Sequence, residues 1–459
     1  MKKEQRNILI VAAAMAAIGV ALFAASAQTK TVKIAAAIPS RDGAVAMDVA
    51  LGTGVVRAGR SETVLLKVGL TGGAFENAAA RPPVNVAIVL DRSGSMSGEK
   101  MQKAREAALA AVERLGAEDI VSLVVYDDTV DVLVPATKAQ DKEALRRAIR
   151  RIRSGGSTAL FAGVSKGAHE VRKFLDANRI SRVVLVSDGL ANVGPSSVGA
   201  LGDLGASLMK EGISVTTVGL GLGYNEDLMV ALAGRSDGNH AFAENATDLA
   251  RIFDHELGDL LSVVARNVTV EIRLTGGARP VRTLGREATI TGNRVVSRLN
   301  QVYAEQEKFL LLELAVPASF SGDTKEIATV NLSYHDAIAN RSATAADRAA
   351  IAYSDSAAAV EASENRTVLI AGAELRANEQ NKIAVDLMDK GQYEKAQKVL
   401  EKNAAALEAS SKRYQSKRLE KRAVENRSDS RDMRPSAAPK RRKMMRSKQH
   451  VLDSQMAWE

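Results

Sequence analysis

"VAIVLDRSGSMSG" (Val86–Gly98) runs from an uninterrupted apolar strand into an aspartate and then into hydroxyls at every second position. Asp91, Ser93 and Ser95 stand at i, i+2 and i+4, a spacing that puts all three side chains on one side of an extended chain. Three oxygen donors converging at a strand end need a shared object. A hard cation fits, because such ions take carboxylate, hydroxyl and water oxygens.

Working outward, Val84 to Leu261 alternates strands and helices. "VNVAIVL", "DIVSLVVYDD", "RVVLVSDG" and "ISVTTVGLG" read as strands, separated by helical stretches such as "EKMQKAREAALAAVERL" (Glu99–Leu115). Apolar strands without alternation imply burial on both faces, and interleaved helices imply a mainly parallel sheet. The fold class is therefore α/β, a doubly wound domain over residues 84–261. Strand-rich segments flank it at 31–83 and 263–335, and their position in the chain suggests one β-domain interrupted by the α/β domain. Residues 357–411 read as a helical hairpin that breaks at Gly391. The hairpin resembles a single tetratricopeptide-type unit, expected to pack on the β-domain or to make a dimer contact.

With this frame, "DRSGSMSG" resembles the opening of a metal-ion-dependent adhesion site, the signature of the von Willebrand factor type A family and of integrin inserted domains. The family pattern continues with a threonine on a later loop and an aspartate after a further strand. "SGGSTAL" supplies Thr158 and "VVLVSDGLANVG" supplies Asp188. "GLGYNEDLMVALAG" is also similar to family sequence, and the β-segments more loosely resemble flanks of bacterial secreted members. The resemblance implies Mg²⁺ (or Mn²⁺) held by Asp91, Ser93, Ser95, Thr158 and Asp188. It also implies that the two aspartates often act through water, leaving the ion electron-poor and able to capture an acidic side chain of a protein partner. That is binding chemistry for adhesion, assembly or scaffolding, without catalysis. An alternative is a membrane-anchored subunit or regulator of an envelope or channel-type complex. A metal-dependent hydrolase would need a general base beside the ion, and nothing in the sequence points to one.

Other residues carry less. Asp127 and Asp128 read as the end of a strand, and Tyr224, Asn225 and Glu226 as the cap of the next helix. The five histidines are scattered without ligand spacing, and no nucleophile elbow, phosphate loop or dinucleotide fingerprint appears. The chain has no cysteine, which excludes disulfides, thiol catalysis and Cys-ligated metals.

Residues 1–27 read as an export signal or an N-terminal membrane anchor. A basic "MKKEQR" precedes the apolar run Asn7–Ala25, with "ASA" before Gln28. The expected location is the periplasm, cell envelope or exterior, with anchoring by residues 7–25 as the alternative. The net charge of +9 resides in residues 412–459, which read as a basic, disordered tail. Lys440, Arg441, Arg442 and Lys443 are its candidates for an anionic membrane or envelope surface, and nucleic acid is a poor default partner for an exported chain.

Overall fold

The computed structural model describes residues 43–75, 81–176, 178–431, 433 and 435–455. The expected signal or anchor, and residues 31–42 of the first β-segment, lie outside the described residues. Among the described residues no helix is long and apolar enough to cross a membrane.

Three strands come first, β1 (Val45–Leu51), β2 (Val55–Arg57) and β3 (Glu62–Gly72). The α/β domain follows with β4 (Val84–Asp91), α1 (Glu99–Arg114), β5 (Ile120–Tyr126), β6 (Val130–Lys138), α2 (Lys142–Arg150) and α3 (Leu160–Arg172). It continues through β7 (Ile180–Ser187), α4 (Val198–Lys210), β8 (Ile213–Leu220), α5 (Glu226–Arg235), β9 (His240–Ala243) and α6 (Asp248–Leu261). The sheet order is β6-β5-β4-β7-β8-β9, parallel except for the edge strand β6. Every residue of β4 is buried, and alternate side chains go to opposite faces. Val86, Ile88 and Leu90 share a core with Ala104 and Val112 of α1 and with Ile252 and Phe253 of α6. Ala87 and Val89 join Val164 and Ala168 of α3 and Leu201 of α4 on the other face. Both faces are thus covered, as the unbroken apolar runs require.

The chain places β5 on one side of β4 and β7 on the other. The carboxyl ends of β4 and β7 therefore flank a topological switch point, where open α/β sheets bind ligands.

After α6 come β10 (Val263–Leu274), β11 (Arg279–Leu284), β12 (Thr289–Thr291), β13 (Arg294–Tyr303), β14 (Glu307–Val316), β15 (Thr324–Asp336) and β16 (Arg341–Ser354). Strands from before and after the α/β domain pair with each other. β3 lies between β1 and β14, and β2 runs parallel to β16 at the edge of the second sheet. The two sheets share Leu66, Val68, Val270, Ile272, Leu312, Val330 and Ile351 in one core. This β-region extends past residue 335, the boundary expected from sequence, because β16 is built from "RSATAADRAAIAYS". Alanine is depleted in strands, so only the long ladder with β15 reveals it.

Arg182 of β7 joins the two parts. Its side chain is wholly buried, with Tyr303 Oη at 2.6 Å, Glu256 at 3.3 Å and the Gln301 side-chain oxygen Oε1 as a further partner. Glu256 is further held by Thr216 at 2.6 Å and Asn239 at 2.8 Å.

The C-terminal part corrects the sequence reading. It contains α7 (Ala357–Ala362), α8 (Arg366–Asp389), α9 (Tyr393–Tyr414), α10 (Lys417–Arg431) and α11 (Ala438–Ser454). Helix α8 packs Val368 and Leu375 on Leu65 and Leu311 of the sandwich. Residues 412–459 were expected to form a disordered tail, yet α10 and α11 are ordered helices with Leu419, Ala423 and Met445 buried. Their charges are compensated by acidic residues, several of them far away in sequence. Lys440 meets Glu244, Arg441 meets Asp429, and Arg442 meets Glu226, Asp227 at 2.5 Å and Asp389 at 2.6 Å. Lys443, 4% exposed, meets Glu226 and the Tyr224 carbonyl. The four residues expected to face an anionic surface are therefore engaged within the chain. Charge counting could not see partners more than 200 residues away for Arg442 and Lys443.

Candidate metal centre

Asp91 ends β4 at 0% exposure. Its Oδ1 accepts the Ser93 backbone N–H at 2.7 Å and its Oδ2 accepts the Ser187 hydroxyl at 2.6 Å. Burial raises its pKa above the ordinary carboxylate value, while the hydrogen bonds from Ser187 and Ser93 oppose that shift. The chain then enters a single 3-10 turn, Gly94–Met96. The Gly94 N–H is tied to the Gly156 carbonyl at 3.0 Å. Ser93 Oγ and Ser95 Oγ stand 3.1 Å apart, and Ser95 donates to Asp188 Oδ1 at 2.7 Å.

Thr158, 4% exposed, arrives from the loop before α3. Its N–H donates to Asn192 Oδ1 at 2.9 Å, and its carbonyl accepts the N–H groups of Asn192 and Val193 at 3.2 and 3.3 Å. Gly189 lies so near that a Cβ there would stand 2.9 Å from Thr158 Oγ1 and 3.6 Å from Ser95 Oγ. The five residues named from the sequence thus converge on the switch point, from three separate loops.

Asp127 and Asp128 brace these loops. Asp127 accepts Arg92 Nε at 2.7 Å and the Thr129 N–H at 2.8 Å, while Asp128 accepts the Ser157 N–H at 2.8 Å. Asn225 caps α5 through the N–H groups of Asp227 and Leu228, as expected. Tyr224 is instead buried, with its hydroxyl 3.5 Å from His240 Nε2, and Glu226 serves as an anchor for α11.

Sequence reasoning missed Ser187, Asn192 and Lys100. Ser187 stands immediately before Asp188, so its position at the end of an apolar strand was a usable signal. Lys100, in the first turn of α1, places its ammonium against Asp188 Oδ2. Nothing local announces that contact, which spans 88 residues.

Among the described residues no cluster of three or more His, Cys, Asp or Glu side chains is placed to hold a metal. An ion at this centre would use the two carboxylates with the three hydroxyls. That donor set is all oxygen and suits a hard divalent cation that keeps several waters. The side-chain-free space that Gly189 leaves beside Thr158 and Ser95 is consistent with an ion there, and the ammonium against Asp188 marks the centre as one that draws positive charge.

The fold is that of a von Willebrand factor type A domain, and the family model of that description matches residues 85–255. The chain carries such a domain inserted in a β-sandwich. Domains of this family generally mediate protein–protein interactions, commonly bind a divalent metal, and occur mostly in non-enzymatic proteins. An uncharacterized protein of Synechocystis sp., sll0103, is 27% identical over 266 residues, 56% of this chain. The match spans 62% of that relative, less than two thirds of its length. Among solved structures, a von Willebrand factor type A protein from Catenulispora acidiphila aligns with TM-score 0.67 and 15% identity, over 83% of this chain and 91% of that one. The ArnB paralog VWA2 from Sulfolobus acidocaldarius aligns with TM-score 0.61 and 17% identity, over 89% and 98%. Those coverages extend the likeness of fold well beyond residues 85–255.

Proposed function

We propose that this protein is an exported binding protein that holds a divalent cation, Mg²⁺ or Mn²⁺, at Asp91, Ser93, Ser95, Thr158 and Asp188. The cation supplies an open coordination position that an acidic side chain of a partner protein can fill. The chain's own residues keep that position available. With Asp91 and Asp188 acting through water, only neutral hydroxyls touch the ion directly, and they leave its charge poorly compensated. Ser187 and the Ser93 N–H orient Asp91, and Asn192 orients the Thr158 loop. The observation that carries this reading is the convergence of five oxygen-bearing side chains from three loops at the switch point of the sheet. Export rests on the basic and apolar character of residues 1–27.

Titration of Mg²⁺ into the full chain by calorimetry, with Thr158→Ala and Asp188→Ala beside wild type, tests the reading. Binding by wild type should weaken about tenfold or more in each variant, which corresponds to ~1.4 kcal/mol. Equal affinity in all three would place the ion elsewhere and refute it.

A further inference from the structure

A cleft separates the α/β domain from the β-sandwich at the amino-terminal ends of β7 and β8. It gives about 140 Å³ of room for water centres, where a single water needs roughly 10–15 Å³. Arg179, Ser181 and Gly212 line it from the α/β domain, and Arg266, Asn267 and Asn300 line it from the sandwich. Asn267 and Asp176 stand exposed at the rim, whereas Ser181, Arg266 and Asn300 are buried below them. Asp188 and the candidate metal centre lie past the other end of β7.

Two polar atoms of this floor have no partner among the described residues, Arg266 Nε and Ser181 Oγ. Arg266 is 7% exposed. One of its terminal nitrogens makes only long contacts, 3.4 Å to the Asp176 carbonyl and 3.5 Å to the Arg179 carbonyl. Lys67, Arg182 and Lys443 are also buried cations, and each meets a carboxylate. Among the described residues Arg266 meets none. The acidic groups at the cleft are otherwise engaged. Asp176 Oδ1 accepts the Asn178 N–H at 2.8 Å, and Glu211 is held by Arg172 at 2.6 and 2.8 Å. Burial lowers the pKa of Arg266, and Asp176 opposes that shift from a distance. A buried charge is costly unless it is paired and hydrogen-bonded, so this guanidinium calls for an anion.

The backbone is shaped to present it. Arg266 faces His335 of β15 while Thr269 faces Ser333, so β10 carries an extra residue between them. Asn267, inside that bulge, has a φ of 52°, which is uncommon outside glycine. Bulges re-aim the side chains beside them. Asn267 Oδ1 lies over Gly212, 3.6 Å from where a Cβ there would stand, so the two domains meet around the cleft.

We infer that the cleft binds a small oxyanion, a phosphate or carboxylate group, on Arg266 Nε and Ser181 Oγ. Both are donors that an oxyanion accepts from, and the anion supplies the negative charge that the guanidinium lacks. Because Ser181 belongs to the α/β domain and Arg266 to the sandwich, a bound anion bridges the two. The site is separate from the metal centre and does not depend on that reading.

The test titrates the full chain by calorimetry with inorganic phosphate and, separately, with succinate. Divalent metals are stripped from the buffer so that the metal centre cannot hold the anion, and ionic strength is fixed with sodium chloride. Wild type should show saturable binding of at least one of the two anions, and which one binds tells phosphate from carboxylate. Arg266→Met should weaken that binding about tenfold or more, and Ser181→Ala about threefold. The anion should also raise the thermal midpoint of wild type and leave that of Arg266→Met unchanged. Absence of saturable binding of either anion would overturn the site, as would equal affinity in wild type and Arg266→Met. If Arg266→Met does not fold, Ser181→Ala decides: weakened binding supports the site and unchanged affinity overturns it.

Discussion

The buried histidine pair that seats α11 gives a pH dependence that can be worked through. His450, on α11, lies within 3.1 Å of the Gly238 carbonyl through Nε2, which requires the proton on that nitrogen. Its ring meets His240 edge-on, with centroids 6.2 Å apart and an interplanar angle of 89°. Desolvation is the main reason its pKa falls to about 4, and the charges of Arg286 and Lys308 act in the same direction. The Gly238 carbonyl and Asp237 oppose them. His240 is also held well below its ordinary value, first by burial and then by His450 and Lys443. When α11 opens, His450 returns to an ordinary pKa of about 6.5. A depressed pKa means the opened state takes up a proton that the closed state refuses. The stability of docking is therefore present above about pH 6.5 and is lost progressively as pH falls toward 4. Between pH 7.5 and pH 5 this one group costs about 2 kcal/mol of opening free energy. Lys308, lowered to about 8 mainly by burial, is still mostly charged at pH 7.5, and Asp237, which burial raises but Lys308 and Arg286 hold below the ordinary carboxylate value, stays ionised across that window. Glu256 has a raised pKa, so other groups also contribute to the total. His450→Gln retains a donor toward Gly238 and cannot titrate. Native-state hydrogen exchange of α11 amides, corrected for intrinsic rates, should show wild type losing about 2 kcal/mol more than the variant between the two pH values. Equal losses in the two proteins would refute the reasoning.

Three further outcomes follow from single contacts. Lys443→Met leaves Glu226 buried with Arg442 as its remaining cation. The same exchange measurement at pH 7.5 should show α11 opening easier by about 3 kcal/mol, whereas an unchanged value would mean the ammonium adds nothing to docking. Gly189→Ala puts a methyl 2.9 Å from Thr158 Oγ1 at a backbone that is not left-handed, so Mg²⁺ affinity should fall about tenfold with a thermal midpoint close to wild type. Unaltered calorimetric affinity would show that Thr158 is not where the ion sits. Lys100→Met removes an ammonium that competes for Asp188; because that side chain is 37% exposed, Mg²⁺ affinity should rise only about two- to fivefold. Weaker binding would instead make Lys100 a supporting part of the centre.

The sequence by itself determined the α/β domain and its candidate centre. Both are written locally: unbroken apolar strands need cover on both faces, and Asp91, Ser93, Ser95, Thr158 and Asp188 each sit where a strand ends or a helix begins. Ser187 was legible in the same way and was overlooked. The tertiary structure alone decided the rest, because each remaining feature is a pairing of distant parts. β16 is a strand because β15 offers it a ladder, not because its alanines prefer one. Lys443 is an anchor because Glu226 waits 217 residues earlier. A basic stretch reads as a solvated tail until its carboxylates are found. The carboxylates of Glu226, Asp227 and Glu244 lie on another domain, at separations that composition and periodicity do not encode, since charge acts through space and not along the chain.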